Sequence, residues 1–485
     1  MSANPPERKG AAARKPTPPR HVSPARRAAY DILLTLERGR AHSDDLLRGR
    51  AVNALSAADR NLATTLVLGV LRWQIRLDHQ LRPLLKRPNA RLDAEILVAL
   101  RLGVFQLLHL DRIPAHAAID ESVELAKQAG HSFAARMVNA VLRKLGTANA
   151  QFADATASEL ALAEAHPAWM VERWACFYGL EAARAICLHG QRQPPLTVRL
   201  AVSAEPAAEN SATADYIAAD ERELLAAGVE LQPGELLTAA RTVVGGDATA
   251  LIAMREGHVR VQDEGSQLVA EIACGAASLN QDQKKILDCC AAPGGKTLIL
   301  AERNPHAQIL ACESSPQRLD QLRTRMADYA DRVECRLADA TELAEENTFD
   351  LVLADVPCSG TGTLGRNPEI RHRLHAEDLP RQAERQIKIL RSALRAARPG
   401  GRVVYSTCSL EPEENEQVIA AVVASESSAH AAPLAPVLDA LLGDGILTGA
   451  GTARLRACVT HEGAIRLLPG AVHTDGFFIS LLEKR

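Results

Sequence analysis

Apolar residues recur at helical spacing from about Ala25 to Gly146, as in Leu62, Leu66 and Val70 and again in Ile96, Leu100, Val104 and Leu107. Almost no strand-like alternation interrupts them, so residues 25–147 predict an all-α domain of roughly five to seven helices. Ser56 followed by Asp59 is a helix-start signature resembling a capping box, and Pro83, Pro88 and Pro114 punctuate the helices. Residues 148–165, rich in Ala, Thr, Glu and Asp, read as a linker or one connecting helix. A small α+β segment, 166–250, follows. His166-Pro167-Ala168-Trp169 opens an amphipathic helix, Leu196 to Leu200 alternates as a strand, and Glu221 to Ala227 is helical before Gly228.

From 251 to 485 the texture changes to short apolar runs alternating with helical stretches: Ile286 to Leu287, Ile309 to Ala311, Val333 to Leu337, Leu351 to Ala354, Val403 to Tyr405 and Phe477 to Leu482. Such alternation predicts a doubly wound, largely parallel α/β sheet, in which ligands bind at the carboxyl ends of the strands. Residues 424–451, rich in Ala, Gly and Ser, read as a loose surface insertion.

Composition changes this picture little. At 485 residues the chain is too long for one ordinary core and suggests roughly three domains. Net charge is −3, so a nucleic-acid partner, if there is one, must be met by a local patch. Residues 1–27 hold seven Arg or Lys against one acid, together with six prolines. That composition predicts a disordered basic arm over 1–24, since prolines spoil the amphipathic helix of a transit peptide. Ten cysteines without paired spacing, no secretory h-region and no long apolar run point to the cytoplasm. No Cys-x-x-Cys or matching Cys and His pair suggests a metal.

The run Asp288-Cys289-Cys290-Ala291-Ala292-Pro293-Gly294-Gly295-Lys296-Thr297 leaves the first strand of the sheet and opens a helix. Its glycines let backbone approach a ligand. A P-loop would need glycine where Cys290 stands. Glu313 ends the second strand, about 20 residues on, where an acid holds ribose hydroxyls. Asp339 ends the third, where a carboxylate can accept from an adenine amino group. Each acid alone is more often a helix cap or a solvated strand end; in series they describe an adenosine site. Gly-x-Gly-x-x-Gly is absent, so S-adenosylmethionine fits better than a nicotinamide cofactor.

Two further cysteines follow apolar strands: Asp355-Val356-Pro357-Cys358-Ser359 and Tyr405-Ser406-Thr407-Cys408-Ser409. Few reactions need two thiols at one site, and methylation of a pyrimidine at carbon 5 is one. A thiolate must add to carbon 6 to make carbon 5 nucleophilic, and after methyl transfer a proton must leave and the thiol must be eliminated. The other cysteines, Cys176, Cys187, Cys274, Cys289, Cys312, Cys335 and Cys458, read as small buried hydrophobes. Residue pattern alone does not say which thiol attacks. A Pro-Cys nucleophile, as used by DNA cytosine methyltransferases, would favour Cys358.

The signatures DCCAAPGGKT, DVPCSGTGTLGRNPEIR, YSTCSLEPEEN and DGFF, with VQDEGSQ before them, resemble the Sun (Fmu) family of RNA cytosine-C5 methyltransferases across about residues 251–485. The helical front end resembles the NusB-like RNA-binding domain that accompanies such catalytic domains in bacterial small-subunit rRNA methyltransferases. The resemblance implies a Rossmann-like methyltransferase domain and, as substrate, an unpaired loop of 16S rRNA. It implies S-adenosylmethionine contacts from Cys290, Ala291, Ala292, Pro293, Gly294, Gly295, Lys296, Glu313, Asp339 and Asp355. It makes Cys408 the nucleophile and Cys358 the cysteine that assists release, with Asp355 also bonding cytosine N3 and Pro357 orienting the turn. Val356 and His372 depart from the family pattern.

Arg366, Arg371, Arg373, Arg381, Arg385, Lys388, Arg391 and Arg395 follow the Cys358 loop. The later members fit a solvated helix face equally well. Proximity to Cys358 makes Arg366 and Arg371 the candidate RNA contacts, with segment 166–250 and the basic arm adding to RNA binding. A tRNA cytosine methyltransferase, or a non-catalytic RNA-binding assembly or antitermination factor, are the alternative readings.

Overall fold

A computed structural model describes residues 21–39, 42–145, 152–200, 220–246, 257, 259–277 and 284–485; most of the basic arm lies outside these. The chain divides into two compact units, residues 1–151 and 152–485.

Among the described residues of the first unit, seven α-helices run from Pro24–Glu37 to Ala135–Leu145, the longest being Ala57–Leu81 and Ala94–His109. The expected stripe makes the core: Leu66, Val70, Ile96, Leu100 and Val104 are buried, with Leu62 and Leu107 at its margin. Ser56 caps its helix by accepting from the Asp59 amide at 3.1 Å. The Asp59 carboxylate accepts from the Ser56 hydroxyl rather than bonding back to the backbone, so the capping box is incomplete. The two long helices touch closely at Gly69, where a Cβ would lie 2.0 Å from the Phe105 ring. No described helix is long and apolar enough to cross a membrane.

The second unit opens with a helix, the second of the two readings of residues 148–165. Thr156 and Glu159 form a complete capping box for Ala157–Ala163, whose Leu160 and Ala161 pack with Trp174 of the helix Ala168–Tyr178. A third helix spans Leu180–Gln191. The strand expected at β1 (Leu196–Leu200) lies in a small antiparallel sheet with β2 (Glu230–Pro233), β3 (Ala240–Gly245) and β4 (Val259–Val261), in the order β2-β3-β1-β4. Residues 220–226 form the expected helix. β4 was expected within the catalytic domain, yet it pairs with β1. Arg199 of β1 is wholly buried and reaches Glu271 at 2.8 Å and Glu302 at 3.6 Å, which tethers the small sheet to the helices Glu264–Ala277 and Gly295–Arg303.

The large sheet holds β5 (Lys285–Asp288), β6 (Gln308–Glu313), β7 (Val333–Leu337), β8 (Phe349–Asp355), β9 (Ala397–Thr407), β10 (Ala429–Ala432), β11 (Ile465–Leu467) and β12 (Phe477–Lys484). Strand order is β10-β12-β9-β8-β5-β6-β7, with β11 on β12. The five strands β5 to β9 are parallel, so their carboxyl ends share one edge, and β10, β11 and β12 pair antiparallel. The order reverses between β5 and β8, which opens a crevice at that edge.

Residues 424–451 are not a loose insertion. They include β10 and the helix Ala435–Gly443, whose Val437, Leu438 and Leu441 are buried in the main core. At about 1.5–3 kcal/mol for each fully buried aliphatic side chain, this packing fastens the segment.

Candidate active site

Each parallel strand delivers one chemical group to the same edge. Asp288 ends β5, wholly buried, and its Oδ2 accepts from the Thr297 hydroxyl at 2.7 Å. Burial raises its pKa to about 6, with Asp355 adding to the rise and Thr297 opposing it. Gly294 adopts φ +100°, a backbone that a β-carbon would strain, as the loop turns into the helix begun by Gly295 and Lys296. Ala291 and Ala292 are buried, and Pro293 is exposed. The Cys290 thiol is pushed well up, by burial first and then by Asp288 and Asp355.

Glu313 ends β6, buried, with Oε1 accepting from the Ser315 amide at 2.8 Å and Oε2 3.5 Å from Arg318, which also donates to Ala292 O. Asp339, beyond β7, accepts from the Thr341 amide and hydroxyl, both at 2.9 Å. Those bonds hold its pKa below the usual carboxylate range. Carboxylates at three successive strand ends suit hydroxyl, amino and cationic groups and would repel phosphate.

Asp355 ends β8 and takes two partners, Lys296 Nζ at 2.7 Å on Oδ2 and the Ser406 hydroxyl at 2.7 Å on Oδ1. Lys296 lies over the Phe477 ring, 5.8 Å from its centroid. Burial works against the Lys296 charge, but Asp355, Cys408 and Asp288 outweigh it and raise its pKa. The ammonium therefore persists beside Cys408.

Cys358, just past β8, and Cys408, just past β9, place their sulfurs 3.4 Å apart. The two turns are locked backbone to backbone: Gly362 N donates to Cys408 O at 2.9 Å and Gly476 N to Gly362 O at 2.8 Å. Only glycine fits at 362, where a Cβ would sit 2.4 Å from Gly476 O. The Cys358 thiol is pushed well up by its hydrogen bond to Cys408, then by burial and by the charge of Glu414. Sequence reasoning missed Glu414 as a site residue, although it lies in a quoted motif. Its carboxylate accepts from Ser359 N at 2.8 Å and Gln386 Nε2 at 3.0 Å.

Pro357 shares this bracket, its carbonyl accepting from Gln386 at 3.0 Å. Of the remaining cysteines, Cys187, Cys274, Cys289 and Cys312 are buried as expected. Cys176 is exposed, and Cys335 and Cys458 are half-buried at the margin of the main core.

The two arginines assigned to RNA are engaged elsewhere. Arg366 donates to Asp475 at 2.7 Å and Asp263 at 2.8 Å, so its charge is matched while it stitches three of the quoted motifs together. Arg371 is 2% exposed and donates to Ala165 O at 3.2 Å and Gly190 O at 3.1 Å. Arg371 is too buried to present its charge to a phosphate backbone, and the partly exposed Arg366 has its charge matched by two acids. In the following helix, Asp378–Ala396, Leu379, Leu390 and Leu394 are buried and Ile387 partly so.

A family model described as 16S rRNA methyltransferase RsmB/F matches residues 276–483, and the NusB family model matches residues 23–147. A Bacillus subtilis protein described as probable ribosomal RNA small subunit methyltransferase B is 33% identical over 472 residues, covering 94% of this chain and 98% of its own length. A Xanthomonas campestris ribosomal RNA small subunit methyltransferase B is 33% identical over 432 residues, covering 88% and 89%. Among solved structures, that of PH0851 matches with a TM-score of 0.75 at 23% identity, over 96% of this chain and 99% of that one, and bears on the fold alone. Fold and matches together define a Rossmann-like methyltransferase preceded by a NusB-type helical domain. The chain belongs to the ribosomal RNA small subunit methyltransferase B family.

Proposed function

We propose that the protein methylates carbon 5 of a specific cytosine in 16S rRNA, with S-adenosylmethionine as donor, through a covalent bond from Cys408 to carbon 6. The observation that carries this reading is the 3.4 Å approach of two thiols at the sheet edge that also holds the adenosine-type acids. The 290–296 loop, Glu313 and Asp339 would hold the donor, whose sulfonium supplies an electrophilic methyl group. The target cytosine must be unpaired or flipped to reach the thiols.

The two thiols stand in unlike fields, and this supports unequal roles. Lys296 supplies the positive charge in the field at Cys408, the thiol assigned to attack. Cys358 faces Glu414 and stays protonated, so it does not compete for attack; in release its S–H would pass its proton to the departing Cys408 sulfur while the Cys358 sulfur takes the carbon 5 proton, which returns both thiols to their starting state. Asp355, fixed by Lys296 and Ser406, is the group assigned to cytosine N3.

Bisulfite sequencing of 16S rRNA and tRNA from cells lacking the protein, and from complemented cells, tests the substrate. Loss of one 5-methylcytosine from 16S rRNA alone supports the reading. Loss from tRNA would favour a tRNA methyltransferase, and loss from neither would reject both.

A further inference from the structure

Glu414 is 0% exposed, and among the described residues no cation lies within ion-pairing distance of it. A buried carboxylate without a counter-ion is costly unless its lone pairs are filled by donors. Four donors fill them here. Ser359 N and Gln386 Nε2 reach Oε1 at 2.8 and 3.0 Å, while the hydroxyls of Ser359 and Ser409 both donate to Oε2. Each serine directly follows one of the two cysteines, and the two hydroxyls lie 3.0 Å apart. Gln386 uses its second hydrogen on Pro357 O at 3.0 Å, just before Cys358. The residue's own carbonyl accepts from the buried Tyr405 hydroxyl at 2.6 Å, anchoring it to β9.

We propose that Glu414 is a positioning residue that brackets the Cys358 turn to the Cys408 turn and sets the separation of the two sulfurs. The proposal rests on the two-thiol reading above. A hydrophobic residue could fill the space, but it could not hold two chain segments that are 55 and 5 residues away in sequence through the serines beside the reacting atoms. The negative charge also faces Cys358 and helps to keep that thiol protonated.

The test uses the full chain with Glu414→Ala, Glu414→Gln and Ser409→Ala. One readout is steady-state methylation of 16S rRNA, with kcat and both KM values. The other is the rate at which diamide closes a Cys358–Cys408 disulfide, followed by peptide mass spectrometry. In that step both thiols lose their protons and two electrons, the sulfurs bond, and diamide is reduced to its hydrazine. Glu414→Ala is expected to slow disulfide closure about tenfold and to lower kcat about 100-fold with both KM values unchanged, the scale set by small misplacements of reacting groups. Glu414→Gln, whose amide meets the same partners once the serine hydroxyls reverse, should close the disulfide at close to the wild-type rate.

Wild-type closure or wild-type kcat in Glu414→Ala would overturn the proposal. If that variant does not fold, Ser409→Ala, which removes one strut only, decides: slower closure supports the bracket and unchanged closure overturns it. Should the wild type methylate no rRNA, the functional reading fails while the oxidation rates still judge Glu414.

Discussion

Cys358 Sγ lies 3.4 Å from Cys408 Sγ, although 50 residues separate them in the chain. They meet because β8 and β9 are parallel neighbours, with Asp355 opposite Ser406, so that turns leaving both strands emerge side by side. The charged groups around them are unlike: Lys296 toward Cys408 and Glu414 toward Cys358.

Lys296→Met should separate these fields. With the ammonium gone, the positive charge that faces the reacting Cys408 sulfur is removed, and alkylation of that sulfur by iodoacetamide at pH 7 should slow by about tenfold. Peptide mapping that distinguishes Cys408 from Cys358 checks this, and an unchanged Cys408 rate would count against the role given to Lys296.

Asp288 imposes a pH dependence on stability. Its folded pKa, about 6, lies above the ordinary value of 3.8, so the folded state holds this proton more tightly than the unfolded chain. The contribution is present below pH 4 and is lost as pH rises through 6, by roughly 1–3 kcal/mol. Asp288→Asn should remove that part of the slope, so the variant gains on the wild type between pH 4 and 7 in denaturant titrations. Parallel curves would contradict the raised pKa.

Arg371→Ala should act on stability rather than on RNA. Two buried carbonyls, Ala165 O and Gly190 O, lose a donor, at about 1–3 kcal/mol for each group left unsatisfied. Calorimetry should show a lower melting temperature, while the salt slope of RNA binding stays at the wild-type value. A reduced slope with unchanged melting would restore the RNA contact.

The strands of the large sheet were legible because each central one is an uninterrupted apolar run, and the thiols because each follows such a run beside Pro or Thr. Segment 424–451 was not, since its small residues hide how deeply Val437, Leu438 and Leu441 are buried. Arg371 misled because nearness in sequence to Cys358 says nothing about burial, and its partners lie 206 and 181 residues away. Glu414 was hidden for a like reason. Its neighbours are two serines that only the pairing of β8 with β9 brings together, and an acid in a Glu-rich motif reads as solvated until that packing is known.

The central claim, that Cys408 attacks and Cys358 releases, is tested most directly by incubating Cys358→Ala and Cys408→Ala with S-adenosylmethionine and 16S rRNA and running denaturing gels. Cys358→Ala should accumulate a protein–RNA adduct that survives denaturation, and Cys408→Ala should form none and transfer no methyl group. A stable adduct in Cys408→Ala, with none in Cys358→Ala, would reverse the roles.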